Sequence, residues 1–466
     1  MPRRRELAVV DPRGRARRAL AIEGCAVATV DGELTEFTDG HVVLERGKIV
    51  AVGAGPAPAR AGMRRIDGRG CLATPGLVNV HHHLYQWATR GLAQSEDLFG
   101  WLDELYPIWA GIDADLVGDT TAAGLAWLGL SGCTTTADLH HVFPQGAGDM
   151  MAAQVGAARR IGLRMQICRG GMDLGRSSGG LAPDSLVEET GKVIAGMDAA
   201  IIDFHDPSPE AMVRVALAPC SPFSVSAQLM VETAALARSR GVRLHTQLAE
   251  STEEERYCRA RFGLSPLVYL DRLGWLGDDV WLAHGVHLPD RDIAVLAEAN
   301  TSLAHCPSSN ARLGAGIAPV RRMLDAGIPV GLGVGGPASQ ESGLLIEELR
   351  QAVYLARAQG GPKALTVREA LWMATMGGAH CLGRAGEIGS LEVGKLADVA
   401  LWRLDGLGHS GIADPVAALV LGPPAPLARL IVQGNEVVVD AKLRTADLGE
   451  LSRELDESCR RLVARR

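Results

Sequence analysis

Eight short apolar runs, separated by amphipathic stretches, fill the chain from Leu72 to Cys381, and this alternation limits the fold more than any other feature. The runs are CLATPGLVNVHHH, GCTTTADL, GLRMQIC, RVALAPC, GVRLHTQL, DVWLAHG, TSLAHC and IPVGLGVG. Helix-like segments such as SAQLMVETAALARSRG, PDRDIAVLAEAN and IAPVRRMLDAG stand between them. Strands that alternate with helices pair in parallel through crossovers. Eight such units in roughly 300 residues predict an α/β fold, a distorted (β/α)8 barrel of the TIM type. Reactive groups in such a barrel sit at the C-terminal ends of the strands. His81, His83, Asp138, Arg169, Cys220, Glu250, His284 and His305 all fall at those ends.

The two ends of the chain read differently. HVVLERGKIVAVG alternates and turns at Arg46-Gly47, and GSLEVGKLADVALW and ARLIVQGNEVVVD repeat that strand-turn character more than 300 residues later. The expected arrangement is a small β-sandwich built from residues 1–71 and 383–445, a barrel over 72–382 and a closing helix over 446–466. A hydrophobic content of 47% supplies a large core. The net charge of −7, with no long basic run beyond the first residues, argues against nucleic acid. No run reaches the roughly 18 apolar residues that cross a bilayer. Nine scattered cysteines fit reduced thiols in a cytoplasmic protein. The opening MPRRRELAVVDPRGRARRAL lacks the apolar centre of a signal peptide and reads as a ragged terminus.

In a strand, residues i and i+2 point the same way. His81 and His83 therefore share a face and His82 takes the other. Two imidazoles on one face are the start of a divalent-metal site, or else a hydrogen-bonded structural pair. Tyr85 and Gln86 follow on the first loop. Trp101, Tyr106 and Trp109 in WLDELYPIWAG offer rings that stack on a flat ligand, or a core-facing helix stripe. Arg169 brings a fork suited to a carbonyl oxygen or carboxylate, or a structural ion pair. Cys220 reads as pocket lining, because a reactive thiolate needs an electropositive setting. Ser308, Ser309 and Asn310 read as turn and pocket residues, and His140 and His141 as satisfied loop histidines.

Taken together, TPGLVNVHHHLYQ, RGGMDLG, LAPCSPFSVS, WLAHGVHL, AHCPSSNARLGAGIAPV and GSLEVGKLADVALW resemble the amidohydrolase superfamily. The likeness is greatest to its aminoheterocycle deaminases, the branch with 8-oxoguanine deaminase and the triazine hydrolases. It implies one divalent ion held by two first-strand histidines, a fifth-strand histidine and an eighth-strand aspartate. The ion lowers the pKa of a bound water. A glutamate shuttles protons, a sixth-strand histidine holds the water or a substrate carbonyl, and ammonia leaves an amino-bearing ring carbon. His81 and His83 match the first two ligands, Glu250 the shuttle and His284 the sixth-strand histidine. Two positions depart from the pattern. HTQLAE places Gln247 where the third histidine stands, and VGGPASQ places Gly335 where the aspartate stands.

A catalytic zinc site usually keeps three protein ligands. A neutral amide is a weak ligand and glycine offers none. His245 shares a face with Gln247 but lies one layer deeper. The resulting expectation is no tightly bound metal, with His81 and His83 as weak or vestigial ligands, and Zn2+ or Fe2+ as the ion if the site is filled. Glu250 and His284 then carry acid–base chemistry, either hydrolysis of a C–N bond or a metal-independent lyase, cyclase or isomerase step, on a small flat nitrogen heterocycle, purine- or triazine-like, contacted by Gln86, Trp109, Arg169, Cys220 and Gln247. Two other readings stand beside this one: a metal-dependent deaminase with an atypical shell, and a catalytically silent ligand-binding paralogue. The resemblance also implies a homo-oligomer.

Overall fold

Strands covered on both faces must be apolar along their whole length, and the eight runs behave in this way. The computed structural model describes residues 19–464, so the Arg-rich opening lies outside the described residues. The barrel strands are β1 (Leu77–Asn79), β2 (Cys133–His140), β3 (Arg164–Gly171), β4 (Val213–Pro219), β5 (Leu244–Leu248), β6 (Val280–His284), β7 (Ser302–His305) and β8 (Val330–Leu332). They are neighbours in chain order. Every residue of β1, β2, β3, β6, β7 and β8 is buried. In β5 the one incompletely buried residue is Gln247. The ring closes just beyond the ends of β1 and β8. Val80 N–H donates to Leu332 O at 3.0 Å, Gly335 N–H to His81 O at 3.0 Å, and His83 N–H to Gly335 O at 3.1 Å.

The three helix-like segments become Ala227–Arg240, Asp290–Glu298 and Val320–Asp325. The first starts where Ser226 accepts the Leu229 N–H, and stops at Gly241 in the left-handed conformation, φ +67°. Inside the barrel, Val78, Val80, Leu139, Ala216, Ala283 and Ala304 pack with Trp281. The Trp281 indole donates to Val80 O at 3.0 Å and stacks on His245, with ring centroids 4.4 Å apart. This stack is the floor beneath the C-terminal mouth.

The small β domain draws on both chain ends, as the repeated strand-turn character predicts. It is one continuous mixed sheet of nine strands. The join is an antiparallel pairing of Cys71–Pro75 with Val399–Arg403, from Val399 opposite Pro75 to Arg403 opposite Cys71. The C-terminal helix Leu448–Ala464 buries Leu451 and Leu462. Among the described residues no helix is long and apolar enough to cross a membrane.

An ion pair joins sheet and barrel. Arg164 opens β3, Asp398 directly precedes the strand Val399–Arg403, and their side chains are 0% and 3% exposed. The guanidinium meets both carboxylate oxygens, at 3.1 and 3.3 Å, and Asp398 also accepts the Gln433 N–H at 2.7 Å. Removing one partner of such a pair leaves a buried, uncompensated charge. Asp398→Ala is expected to cost about 3–5 kcal/mol of unfolding free energy. Denaturant unfolding checks this, and a loss below about 1 kcal/mol would place the bridge in the range of an exposed pair.

Candidate functional site

The first strand ends at Asn79, and the three histidines continue it as extended chain. His82 bridges to Gly335, its Nδ1 donating to Gly335 O at 2.6 Å. His81 and His83 stand together on the other side, ring centroids 4.8 Å apart and nearly perpendicular. Their tautomers follow from their partners. His83 Nδ1 lies 2.7 Å from Leu139 O, and a carbonyl only accepts, so the ring proton is on Nδ1 and Nε2 keeps its lone pair. His245 Nδ1 likewise donates to Trp281 O at 2.8 Å, which leaves His245 Nε2 as an acceptor. His81 Nδ1, 2.8 Å from that nitrogen, is the donor, so His81 Nε2 carries a free lone pair. That atom is buried without a hydrogen-bond partner. Burial holds all three rings neutral, pushing His83 down to about 4 and His245 to about 3. His245 is used at both nitrogens, so it positions His81 and is not itself free to ligate.

Glu250 and His284 meet across the same mouth, Glu250 Oε1 lying 3.5 Å from His284 Nδ1. Burial pushes the Glu250 carboxyl up to about 8 and the His284 ring down to about 4. At neutral pH the proton therefore resides on the carboxyl and the imidazole is neutral. His284 Nδ1 lies 2.9 Å from Asn310 Oδ1, and Nε2 lies 3.2 Å from Gln247 Oε1, so both ring nitrogens face an amide oxygen. A neutral ring donates at one nitrogen only. The Gln247 amide N–H is turned toward Cys220 O at 3.4 Å, so its oxygen accepts from His284 Nε2. Nδ1 is then the acceptor, facing the Glu250 carboxyl, and this requires the Asn310 amide to turn so that its Nδ2, otherwise without a partner among the described residues, replaces Oδ1 against the ring.

These two groups sit on strained backbone. Ala249 has φ +52° and His284 φ +76°, both left-handed for residues with a β-carbon. Glu254 secures the first, accepting the N–H groups of Ala249 at 2.9 Å and Glu250 at 3.0 Å. The chain beyond the second donates back to the fifth strand's loop: Gly285 N–H to Leu248 O at 3.0 Å, and His287 N–H to Ala249 O at 3.0 Å. The sequence reading passed over Glu254. Its signal was Ser251-x-x-Glu254, a capping-box spacing that opens the helix Thr252–Phe262.

A pocket lies above these groups. It is lined by His81, His83, Gln86, Cys220, Gln247, Glu250 and His284, under an apolar wall that includes Trp101, Tyr106, Trp109 and Phe223. The indole N–H groups of Trp101 and Trp109 are taken by Ala338 O and Thr89 Oγ1, both at 3.1 Å, which leaves their ring faces for packing. Gln86 Oε1 is buried without a partner, against Gly336, where a β-carbon would overlap the amide. The Cys220 thiol is pushed up to about 12 by burial, so it is no thiolate. His141, expected as a satisfied loop histidine, also lines the pocket, and its Nδ1 has no partner.

Arg169 departs from the expectation. It is buried, but it does not line the pocket. Its guanidinium pairs with Glu188 at 3.2 Å and lies 3.6 Å from the Phe143 ring centroid, so the structural ion pair satisfies it.

The metal-binding potential rests on the two Nε2 lone pairs of His81 and His83, which suit half of a tetrahedral shell. The other half is the neutral amide of Gln247 and the backbone of Gly335. At Gly335, φ +74°, a β-carbon would stand 3.1 Å from Ser309 Cβ. Among the described residues no group of three or more His, Cys, Asp or Glu is gathered to hold a metal ion. The donor set present does not fit a complete site.

Comparison with known proteins places this architecture. Residues 72–437 match the amidohydrolase family. The chain is 44% identical over 415 residues to 8-oxoguanine deaminase of Pseudomonas aeruginosa, covering 88% of this chain and 92% of that protein. It is 35% identical over 458 residues to hydroxydechloroatrazine ethylaminohydrolase of Pseudomonas sp. (strain ADP), covering 94% of each. The crystal structure of atrazine chlorohydrolase from Arthrobacter aurescens TC1, complexed with zinc, superposes with a TM-score of 0.90 at 35% identity, over 94% of this chain and 100% of that one. The chain belongs to the amidohydrolase family.

Proposed function

We propose that this hydrolase acts on a small, flat, nitrogen-rich heterocycle, purine- or triazine-like, through Glu250 and His284 and with a reduced or absent metal. The observation that carries the reading is the protonated Glu250 carboxyl beside a neutral His284, in a buried pocket walled by Trp101, Tyr106 and Trp109. The names of the relatives supply the substrate class. The aromatic wall packs on a flat ring, and Gln86 and Gln247 offer amide groups to its edge.

The proton balance closes on Glu250 alone. The carboxyl gives its proton to a ring nitrogen as water adds to the neighbouring amino-bearing carbon, then takes one from the added water. It next protonates the amine, which leaves as ammonia. The carboxylate recovers its proton from the new hydroxyl, leaving a ring carbonyl and a ring N–H. The His284 Nε2–H holds the oxygen during these steps, with Gln247 as its resting partner. A positioned acid–base group supplies about 10²–10⁴-fold.

A second reading is favoured by one observation, the side-by-side lone pairs on His81 and His83. In it an ion sits on these two nitrogens, and Gln247 and water complete the shell of an ordinary deaminase. Elemental analysis of protein purified without chelator, with and without added zinc, separates the two. Well under one ion per chain is expected, and a near-stoichiometric ion would sink the metal-poor reading.

On an accepted heterocycle, Glu250→Gln is expected to lower kcat by about 10²–10⁴-fold while ligand affinity moves little. Unchanged turnover would remove Glu250 from the chemistry. The wild-type rate should fall as pH rises through about 8, where the carboxyl loses its proton.

Stability follows the same proton. The folded state holds it more tightly than the unfolded chain does. The carboxyl's contribution is therefore full below the ordinary carboxylate range and is lost as pH rises through about 8. Tm of the wild type is expected to fall relative to that of Glu250→Gln as pH rises from about 5 to about 8, and the two profiles should run parallel above that. Parallel Tm profiles below that point as well would mean that Glu250 ionises in the ordinary range.

A further inference from the structure

The opposite mouth of the barrel holds a second cleft, of about 360 Å³, between the starts of β3, β4 and β5 and the chain after Cys381. Its lining includes Gln166, His205, Arg214, Arg243, Gly383 and Glu387. No step of the proposed chemistry uses it.

Arg243 is the unusual group. Its Nε–H donates to Cys381 O at 3.0 Å, the last carbonyl of a helical run. Its Nη2 is shielded from solvent and has no hydrogen-bond partner among the described residues. The acidic groups that act on it are Asp278 and Asp279, and Asp279 is taken by Arg238 at 2.9 Å. The Trp281 ring centroid is 5.9 Å away, at the outer reach of a cation–π contact. Gly383, with φ +66°, gives the guanidinium room, since a β-carbon there would lie 2.9 Å from Nη1. An arginine is always charged, and a shielded guanidinium N–H without a partner is costly. A helix carbonyl satisfies its Nε–H and leaves the shielded Nη2 unexplained.

The neighbours also donate. Arg214 Nε is buried without a partner, while its Nη2 holds Glu387 at 2.7 Å. Glu387 is the carboxylate of the lining, and Arg384 shares it at 2.6 Å. His205 Nδ1 accepts the Val215 N–H at 3.1 Å, so a neutral His205 carries its proton on Nε2. The local excess of positive charge is felt at Arg384, which burial and the nearby Arg164 and Arg214 pull down to about 10.

We propose that this cleft binds a small oxyanion, a phosphate or carboxylate group, with Arg243 as its anchor and Arg214 Nε and His205 Nε2 as further donors. Two guanidinium groups with unused N–H in a pre-formed cleft are a planar fork for such a group.

The test is calorimetric titration of the full chain with sodium phosphate, and separately with sodium acetate, each against sodium chloride at equal ionic strength. Saturable binding of one oxyanion per chain and a higher Tm are expected. Phosphate alone binding assigns a tetrahedral oxyanion such as a phosphate ester, and acetate binding as well assigns the carboxylate class too. Arg243→Met should weaken binding by at least about tenfold, as loss of a charge-assisted fork does. Pro207→Asp keeps both arginines and adds a negative charge at the exposed rim, and should weaken binding several-fold. No saturable binding beyond chloride, or wild-type affinity in both variants, overturns the proposal.

Discussion

The backbone of Gly335 is the point on which the catalytic mouth depends. Its N–H goes to His81 O, and its carbonyl receives both the His83 N–H and the His82 imidazole. With the bond from Val80 N–H to Leu332 O, it closes the barrel between the first and last strands and fixes the side on which all three histidines stand. It does so in a left-handed conformation, with Ser309 packed where a β-carbon would point. The resemblance puts a liganding aspartate at this position. In this chain the position is a backbone hub, and the surroundings have closed around it. A carboxylate introduced at Gly335 would have to strain the chain and displace Ser309 before it reached an ion.

Electrostatics point the same way. His81, His83, His141, His245 and His284 are all held neutral by burial. Glu250 keeps its proton up to about 8. The mouth therefore carries almost no formal charge at neutral pH. A neutral site that stores one proton suits acid–base work. The hydrogen-bonded line from Trp281 O through His245 to His81 keeps its floor rigid.

Much of this was legible in the sequence because it is written in short-range terms. Uninterrupted apolar runs specify strands covered on both faces. A period of two places His81 and His83 together. The cap at Ser226 and the glycine at Gly241 bound a helix. The misses are long-range. Nothing near Arg169 says that Glu188, 19 residues on, folds back to pair with it, or that Phe143 lies under its guanidinium. His141 follows the last residue of the second strand, so alternation no longer governs where its ring points. The use of both nitrogens of His245 requires Trp281 and His81 as neighbours, and both are distant in the chain. Arg243 stands before its strand, at the end of the barrel where sequence reading looks for stability rather than for binding.

The strain at the mouth shows how the fold sustains its chemistry. A residue with a β-carbon in the left-handed region costs about 1–3 kcal/mol. Ala249 and His284 both adopt it, one directly before Glu250 and the other facing its carboxyl. Such a cost persists only where neighbours over-determine the conformation. At Ala249 the over-determination is Glu254, whose carboxyl gathers two successive backbone N–H groups. Glu254 is itself buried and pushed up to about 8, although both of those hydrogen bonds favour its charged form. An ionised Glu250 would raise the cost of ionising Glu254 further. Glu254 thus holds the chain in its strained place beside Glu250, while burial alone keeps the proton on the Glu250 carboxyl.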